Sequence, residues 1–106
     1  MLRRGYPAIL AALALALPSV PARAATIHVT IENIAFSPAE VPAKVGDTVE
    51  WTNKDVVAHT ATARNGEFDV MVPAKTTATL VLKKAGTVDY YCRFHPNMKA
   101  TLGIAP

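Results

Sequence analysis

Disulfide bonding within the chain is excluded, because the 106 residues include only one cysteine. A small domain buries only about 60–65% of the surface that its unfolded chain exposes, so it gains from an additional source of stability. The lone thiol at Cys92 therefore indicates an intermolecular bridge, a reactive thiol or a thiolate held by a metal. Of these, the metal would also stabilise the folded state, because it binds that state alone.

A spanning helix is also missing, because the longest apolar run, residues 8–17, is too short to cross a bilayer. Arg3 and Arg4 precede this run, and residues 22–24 (ARA) have the small-residue pattern of a cleavage site. A basic start, a short apolar centre and this exit are typical of a secretory signal peptide. We therefore predict a signal peptide over residues 1–24, a single domain over residues 25–106, a periplasmic location and no stable membrane insertion after cleavage.

An excess of basic charge is absent from the predicted mature chain. Three of the 11 basic residues lie in residues 1–24, which leaves eight basic and eight acidic residues in the domain. No basic stripe with interleaved aromatic residues occurs, so nucleic acid is not a predicted partner. A formal charge of zero also predicts that docking to a protein partner depends little on salt.

Helical periodicity does not appear after residue 25, whereas apolar residues alternate at period two between frequent turn signals. The pattern predicts seven to eight short strands, and therefore an all-β sandwich or barrel. The predicted strands cover residues 27–31, 41–45, 48–52, 59–63, 68–72, 77–82, 87–92 and 99–104. Pro42 marks an edge strand, and Trp51 and Phe36 are predicted core residues.

Three potential metal ligands lie at equal steps near the end of the chain: Cys92, His95 and Met98. Cys92 ends a predicted strand on its inward face, and the other two follow in the turn toward the last strand. Two residues between neighbouring ligands allow a tight loop to direct all three side chains to one point. Pro96 fixes its own φ and favours an extended His95, so the loop loses less entropy on ordering.

A fourth ligand is sought among the remaining histidines. His28 alternates outward in the first strand, whereas His59 begins a strand at an end of the sheets, so we predict His59. Two imidazoles, a thiolate and a weak axial thioether define a type 1 blue copper site. Zinc would normally take a carboxylate or a further cysteine or histidine before methionine. The remaining alternatives are a nucleophilic Cys–His pair and a cysteine and methionine that merely fill the core.

The residues around these ligands resemble the cupredoxins, the type 1 blue copper family. The resemblance rests on residues 90–98 (YYCRFHPNM), 45–53 (VGDTVEWTN) and 58–60 (AHT), and it spans nearly all of residues 27–104. Within the family, the C-x2-H-x2-M spacing is that of the amicyanins. The resemblance implies a Greek-key β-sandwich with one copper ion at one end. The ligands it implies are His59, Cys92, His95 and Met98.

The same resemblance implies a carrier of single electrons, which meets redox partner proteins through a patch around His95. We expect docking at this patch to be weak and the protein to be a monomer. It also implies that Asn53 holds the loops near the metal and that the N–H of Thr60 donates to the thiolate. Thr60 stands where the amicyanins usually have asparagine. We therefore expect a weaker link between the two metal loops, which are the segment around His59 and the loop that carries Cys92, His95 and Met98. A second hypothesis is copper trafficking or tolerance without electron transfer. An enzyme is not predicted, because three histidines and one cysteine cannot build the further copper sites of an oxidase.

Overall fold

The computed structural model describes Gly5 and residues 23–106. The predicted signal peptide, residues 1–24, therefore lies almost entirely outside the described residues. Within the described part, no helix is long and apolar enough to span a membrane.

The described chain folds into nine strands in two sheets, which confirms the predicted all-β sandwich. The strands are β1 (Thr26–Ile31), β2 (Phe36–Ser37), β3 (Glu40–Lys44), β4 (Thr48–Asn53), β5 (His59–Ala63), β6 (Asp69–Val72), β7 (Thr77–Val81), β8 (Gly86–Cys92) and β9 (His95–Ala105). One sheet has the order β2-β1-β4-β7 and the other has the order β3-β9-β8-β5-β6. The sheets face each other, because strands with one apolar face must cover it against another layer.

Alternation along the strands builds the core between the sheets. In β4, Val49 and Trp51 are completely buried while their neighbours are partly exposed. In β8, Val88, Tyr90 and Cys92 share the inward face and are all at most 2% exposed. Side chains two apart in a strand lie on the same face, so these residues meet from opposite sheets.

One hydrogen bond ties the two sheets together inside this core. The indole Nε1–H of Trp51 in β4 donates to the hydroxyl oxygen of Tyr90 in β8, at 3.3 Å. The two rings pack edge to face with centroids 5.7 Å apart, an arrangement that aromatic quadrupoles favour. Burial raises the pKa of Tyr90 to about 12, so its hydroxyl remains protonated at neutral pH.

The edge position predicted for Pro42 is confirmed, because β3 lies at the edge of its sheet. Two other expectations need correction. The last strand begins at His95 rather than at residue 99, so Met98 lies within β9 and not in a turn. The two-residue strand β2 was not predicted, because so short a segment shows no alternation and is defined only by its pairing with β1.

Candidate metal centre

Three of the four predicted ligands converge at one end of the sandwich. One potential ligand atom from each of His59, Cys92 and His95 lies within 4.8 Å of the others. Cys92 Sγ is 3.7 Å from Nδ1 of His59 and also 3.7 Å from Nδ1 of His95. His59 and Cys92 are fully buried, whereas His95 is partly exposed.

Strand pairing brings the first two ligands together. His59 is the first residue of β5 and Cys92 is the last residue of β8, and these two strands are antiparallel neighbours. The start of one strand therefore meets the end of the other at the same end of the sheet. Residues separated by 33 positions in the sequence thus share one buried site.

A change of register between β8 and β9 forms the ligand loop. Cys92 pairs with His95 across a two-residue turn, but Tyr91 pairs with Lys99. Residues 96–98 therefore have no partner on β8, and the chain bulges outward there as extra residues in a strand do. Met98 returns to the interior and is only 3% exposed. His95 and Met98 both line a shallow cavity at this surface, together with Pro96.

The four predicted ligands form a cluster that is suited to one copper ion. Metal–nitrogen and metal–sulfur bonds are about 2.0 and 2.3 Å long, so donors about 120° apart on one ion are separated by roughly 3.7 Å. Both sulfur–nitrogen distances are 3.7 Å. Trigonal ligation by one cysteine and two histidines, with a weak axial methionine, is the arrangement that blue copper sites use.

Asp55 orients one of the histidines. Its Oδ2 lies 2.8 Å from Nε2 of His59, whose side chain is completely buried. The N–H of Ile34 and, after it, the hydrogen bond with His59 and the N–H of Asn33 lower the pKa of Asp55 from its ordinary value of 3.8. An ionised carboxylate only accepts hydrogen bonds, so Nε2 of His59 carries the proton and Nδ1 presents its lone pair. Nδ1 is the nitrogen that faces Cys92.

The same carboxylate holds a strained turn between β1 and β2. The backbone N–H groups of Asn33 and Ile34 donate to Asp55, at 2.8 and 2.9 Å. These two residues have φ values of 54° and 57°. Asparagine tolerates this left-handed conformation, but a β-branched isoleucine rarely adopts it. The turn places Ile34, which is 48% exposed, beside His95 and Phe94 at the rim of the shallow cavity.

Asn53 connects the loops around the site, as the resemblance implies. Its Nδ2 donates to the carbonyl oxygens of Val57, Val72 and Pro73 at 2.9, 3.0 and 3.2 Å. Its Oδ1 accepts the N–H of Asp55 at 2.9 Å. One buried amide thus fixes both the loop that precedes His59 and the segment that follows β6.

Hydrogen bonds also reach the thiol. The N–H of Thr60 donates to Cys92 Sγ at 3.3 Å, as the resemblance implies. The hydroxyl of Thr60 accepts the N–H of Arg93 at 2.9 Å. The threonine therefore provides a direct hydrogen bond between the segment that follows His59 and the ligand loop. That this link is weaker than one made by asparagine stays a prediction.

The structure excludes His28 from the centre and adds Asp55 to it. His28 is exposed on β1, where its Nδ1 lies 3.1 Å from Glu50. Asp55 was missed by sequence reasoning, although it precedes His59 by four residues. A carboxylate at this distance before a ligand histidine could have been recognised, because ligand histidines usually donate their second N–H to such a group.

Comparison with known proteins identifies the family. Residues 6–104 match the cupredoxin-like domain, and the chain belongs to this family. The fold and the cluster of two histidines, a cysteine and a methionine agree with this assignment.

The relatives that the comparisons identify include amicyanins. The chain is 35% identical to amicyanin-alpha of Methylorubrum extorquens over 78% of its own length and 75% of the relative's. It is 32% identical to the methylamine utilization protein MauL of the same organism, over 89% and 86% of the two lengths. The crystal structure of amicyanin from Paracoccus versutus superposes with a TM-score of 0.65 at 32% identity, covering 81% of this chain and 85% of that one.

A further solved structure connects this fold with copper. It is a reduced Cu(I) form of an amicyanin mutant, with a TM-score of 0.65 and 30% identity over 74% of this chain and 81% of that one. The chain is thus an amicyanin-like cupredoxin.

Proposed function

We propose that this chain is an exported electron carrier that binds one type 1 copper ion through His59, Cys92, His95 and Met98. The observation that carries the proposal is the equal 3.7 Å separation of Cys92 Sγ from the two histidine Nδ1 atoms. When bound, copper supplies a one-electron couple between Cu(II) and Cu(I). Thiolate and thioether suit Cu(I), whereas imidazole suits both oxidation states.

The surrounding residues keep the ligands in one arrangement. Asp55 fixes the His59 ring, Thr60 donates to the sulfur of Cys92, and Asn53 braces the adjoining loops. A site that changes little between oxidation states transfers electrons with little reorganisation. This function requires no substrate pocket, and we accordingly propose a carrier rather than an enzyme.

We propose that redox partners dock around His95. This histidine is partly exposed, and it shares the shallow cavity with Ile34, Phe94 and Pro96. Ile34 and Phe94 are 48% and 50% exposed, so this end of the molecule offers apolar surface next to a ligand. A monomer that docks weakly through such a surface can release its partner quickly after each transfer.

Export is the remaining part of the proposal. Cleavage after Ala24 would make Ala25 the first residue of a periplasmic protein. The backbone nitrogen of Ala25 already lies 2.8 Å from Oδ1 of the buried Asp47. After cleavage this nitrogen would be an ammonium group, which would pair with the carboxylate. Mass spectrometry of the protein recovered from the periplasm tests the cleavage position.

Electron transfer is tested against copper trafficking by two measurements on the copper-loaded protein. NMR line broadening in mixed Cu(I) and Cu(II) samples gives the rate of electron self-exchange. Competition with a Cu(I) chelator gives the rate of copper release. A carrier exchanges electrons quickly and retains copper through many oxidation cycles. Slow self-exchange combined with ready transfer of copper to an acceptor would contradict electron carriage and favour trafficking.

A further inference from the structure

A ring of polar groups lies beside the thiol of Cys92. The N–H of Arg93 donates to Thr60 Oγ1 at 2.9 Å, and Thr60 Oγ1 lies 2.8 Å from Thr62 Oγ1. Thr62 Oγ1 then donates to Asp69 Oδ1 at 2.7 Å. The side chain of Arg93 closes the ring, because its Nε donates to the same carboxylate oxygen at 3.1 Å.

The chemistry of the groups determines the direction of every hydrogen bond in this ring. Asp69 is a carboxylate and can only accept hydrogen bonds, so Thr62 donates its single hydroxyl proton to it. The oxygen of Thr62 must therefore accept the proton of Thr60. The oxygen of Thr60 in turn accepts the N–H of Arg93. These three bonds and the one from Arg93 Nε thus all point from the ligand loop toward Asp69.

The ring connects the protein surface with the buried sulfur. The side chains of Asp69 and Arg93 are 54% and 41% exposed, whereas Thr60 is completely buried. Thr60 also donates its backbone N–H to Cys92 Sγ. An exposed Asp–Arg pair contributes little by itself. Here, however, the carboxylate terminates a chain of hydrogen bonds, and charged acceptors strengthen such chains.

We infer that Asp69 and Thr62 are positioning residues that hold the N–H of Thr60 on the sulfur of Cys92 and so set the reduction potential of the centre. The inference rests on the proposed function. Hydrogen bonds around the cysteine sulfur tune the potential of blue copper sites. A donor to the sulfur withdraws electron density and favours the reduced state, so weakening this donor lowers the potential.

The first test uses copper-free protein and follows hydrogen exchange of the Thr60 and Arg93 backbone amides by NMR. Thr62→Val removes the middle hydroxyl, and Asp69→Asn removes the charged acceptor. Each change should speed exchange of these two amides by about fivefold to tenfold, the effect of losing one hydrogen bond. Asp89→Asn is a matched control, because Asp89 is also an exposed strand residue that accepts a threonine hydroxyl, that of Thr101, at 2.8 Å. If the Thr60 and Arg93 amides exchange at the same rate in both variants as in Asp89→Asn, the ring does not hold these amides and the inference is overturned.

The second test uses copper-loaded protein and compares the midpoint potential and the energy of the thiolate-to-copper absorption band. Thr62→Val and Asp69→Asn should each lower the potential, and the double variant should lower it no further. Two changes within one ring act on the same bond, whereas independent sites add. Thr62→Ser should restore the unmodified values, because serine keeps the hydroxyl.

The outcomes separate this inference from the proposed function. If the unmodified protein shows no thiolate-to-copper band, the copper site itself is wrong, and the exchange data still decide whether the ring exists. If the band is present but the variants keep the potential of Asp89→Asn, the positioning role is overturned. Additive shifts in the double variant would also overturn it.

Discussion

Nε2 of His59 lies 2.8 Å from Oδ2 of Asp55, four residues earlier in the chain. This contact leaves Nδ1 of His59 free to face Cys92. The same carboxylate accepts the N–H groups of Asn33 and Ile34. One carboxylate therefore joins a predicted metal ligand to the turn that contributes apolar surface beside His95.

Asp55→Asn should weaken copper binding without unfolding the protein. The amide is nearly the same shape as the carboxylate, but it lacks the charge and one acceptor. It therefore holds the His59 ring less firmly. Loss of such a partner typically lowers metal affinity by about 10–100-fold. Chelator competition measures this affinity, with Asp89→Asn as the control. If Asp55→Asn and Asp89→Asn bind copper with the same affinity within error, Asp55 does not orient His59 for metal binding.

Asp47 should make the stability of the copper-free protein depend on pH in the acid range. The N–H groups of Ala25 and Lys44 lower the pKa of Asp47 from its ordinary value of 3.8. A carboxyl whose pKa is lower in the folded state stabilises the fold above its unfolded pKa. That stabilisation is lost as the pH falls from about 3.8 through the folded pKa. Urea titrations from pH 5 downward should show a steeper loss than in Asp47→Asn. If the unfolding free energy falls equally with pH in the two proteins, Asp47 is not the source of the pH dependence.

Trp51→Phe should destabilise the sandwich but leave the metal centre unchanged. The substitution removes the donor to Tyr90 and leaves a buried hydroxyl without that partner, at a cost of about 1–3 kcal/mol in unfolding free energy. Tyr90→Phe should lower the unfolding free energy by a similar amount, because it leaves the buried indole N–H of Trp51 without its acceptor. The double variant should lose less than the sum of the two, because neither polar group then remains buried. Urea denaturation measures all three, and strict additivity would argue against the bond.

Ile34→Asn should stabilise the protein and weaken docking of a redox partner. Asparagine accepts the left-handed φ of 57° more easily, so relief of strain should add about 1 kcal/mol to the unfolding free energy. The same change removes apolar surface beside His95. Val56→Asn is the control, because Val56 is 80% exposed in a nearby loop and does not have a positive φ. Equal stability changes in the two variants would refute strain at Ile34.

The sequence was sufficient to predict the strands that alternate clearly. The bounds of β5 agree with the prediction for residues 59–63, and Trp51 and Cys92 are buried as predicted. The start of β9 could not be predicted, because the bulge after His95 follows from a register shift between two strands. Alternation describes one strand at a time and carries no information about register.

The candidate centre was predicted from ligand types and spacing, but its supporting residues were only partly accessible to that reasoning. The N–H of Thr60 was expected on the sulfur by resemblance. The links from Thr60 through Thr62 to Asp69 depend on the pairing of β5 with β6. Such cross-strand neighbours become visible only once the sheet is assembled.

A Cu(II) titration followed by visible absorption shows whether His59, Cys92, His95 and Met98 bind copper as a type 1 site. We expect an intense thiolate-to-copper band that saturates at one copper ion per chain and disappears on reduction. Cys92→Ala should abolish this band, whereas His28→Ala should preserve it, because His28 lies outside the centre on an exposed strand face. A protein that stays colourless with Cu(II), or keeps its colour after Cys92→Ala, would contradict the assignment of these residues to a copper site.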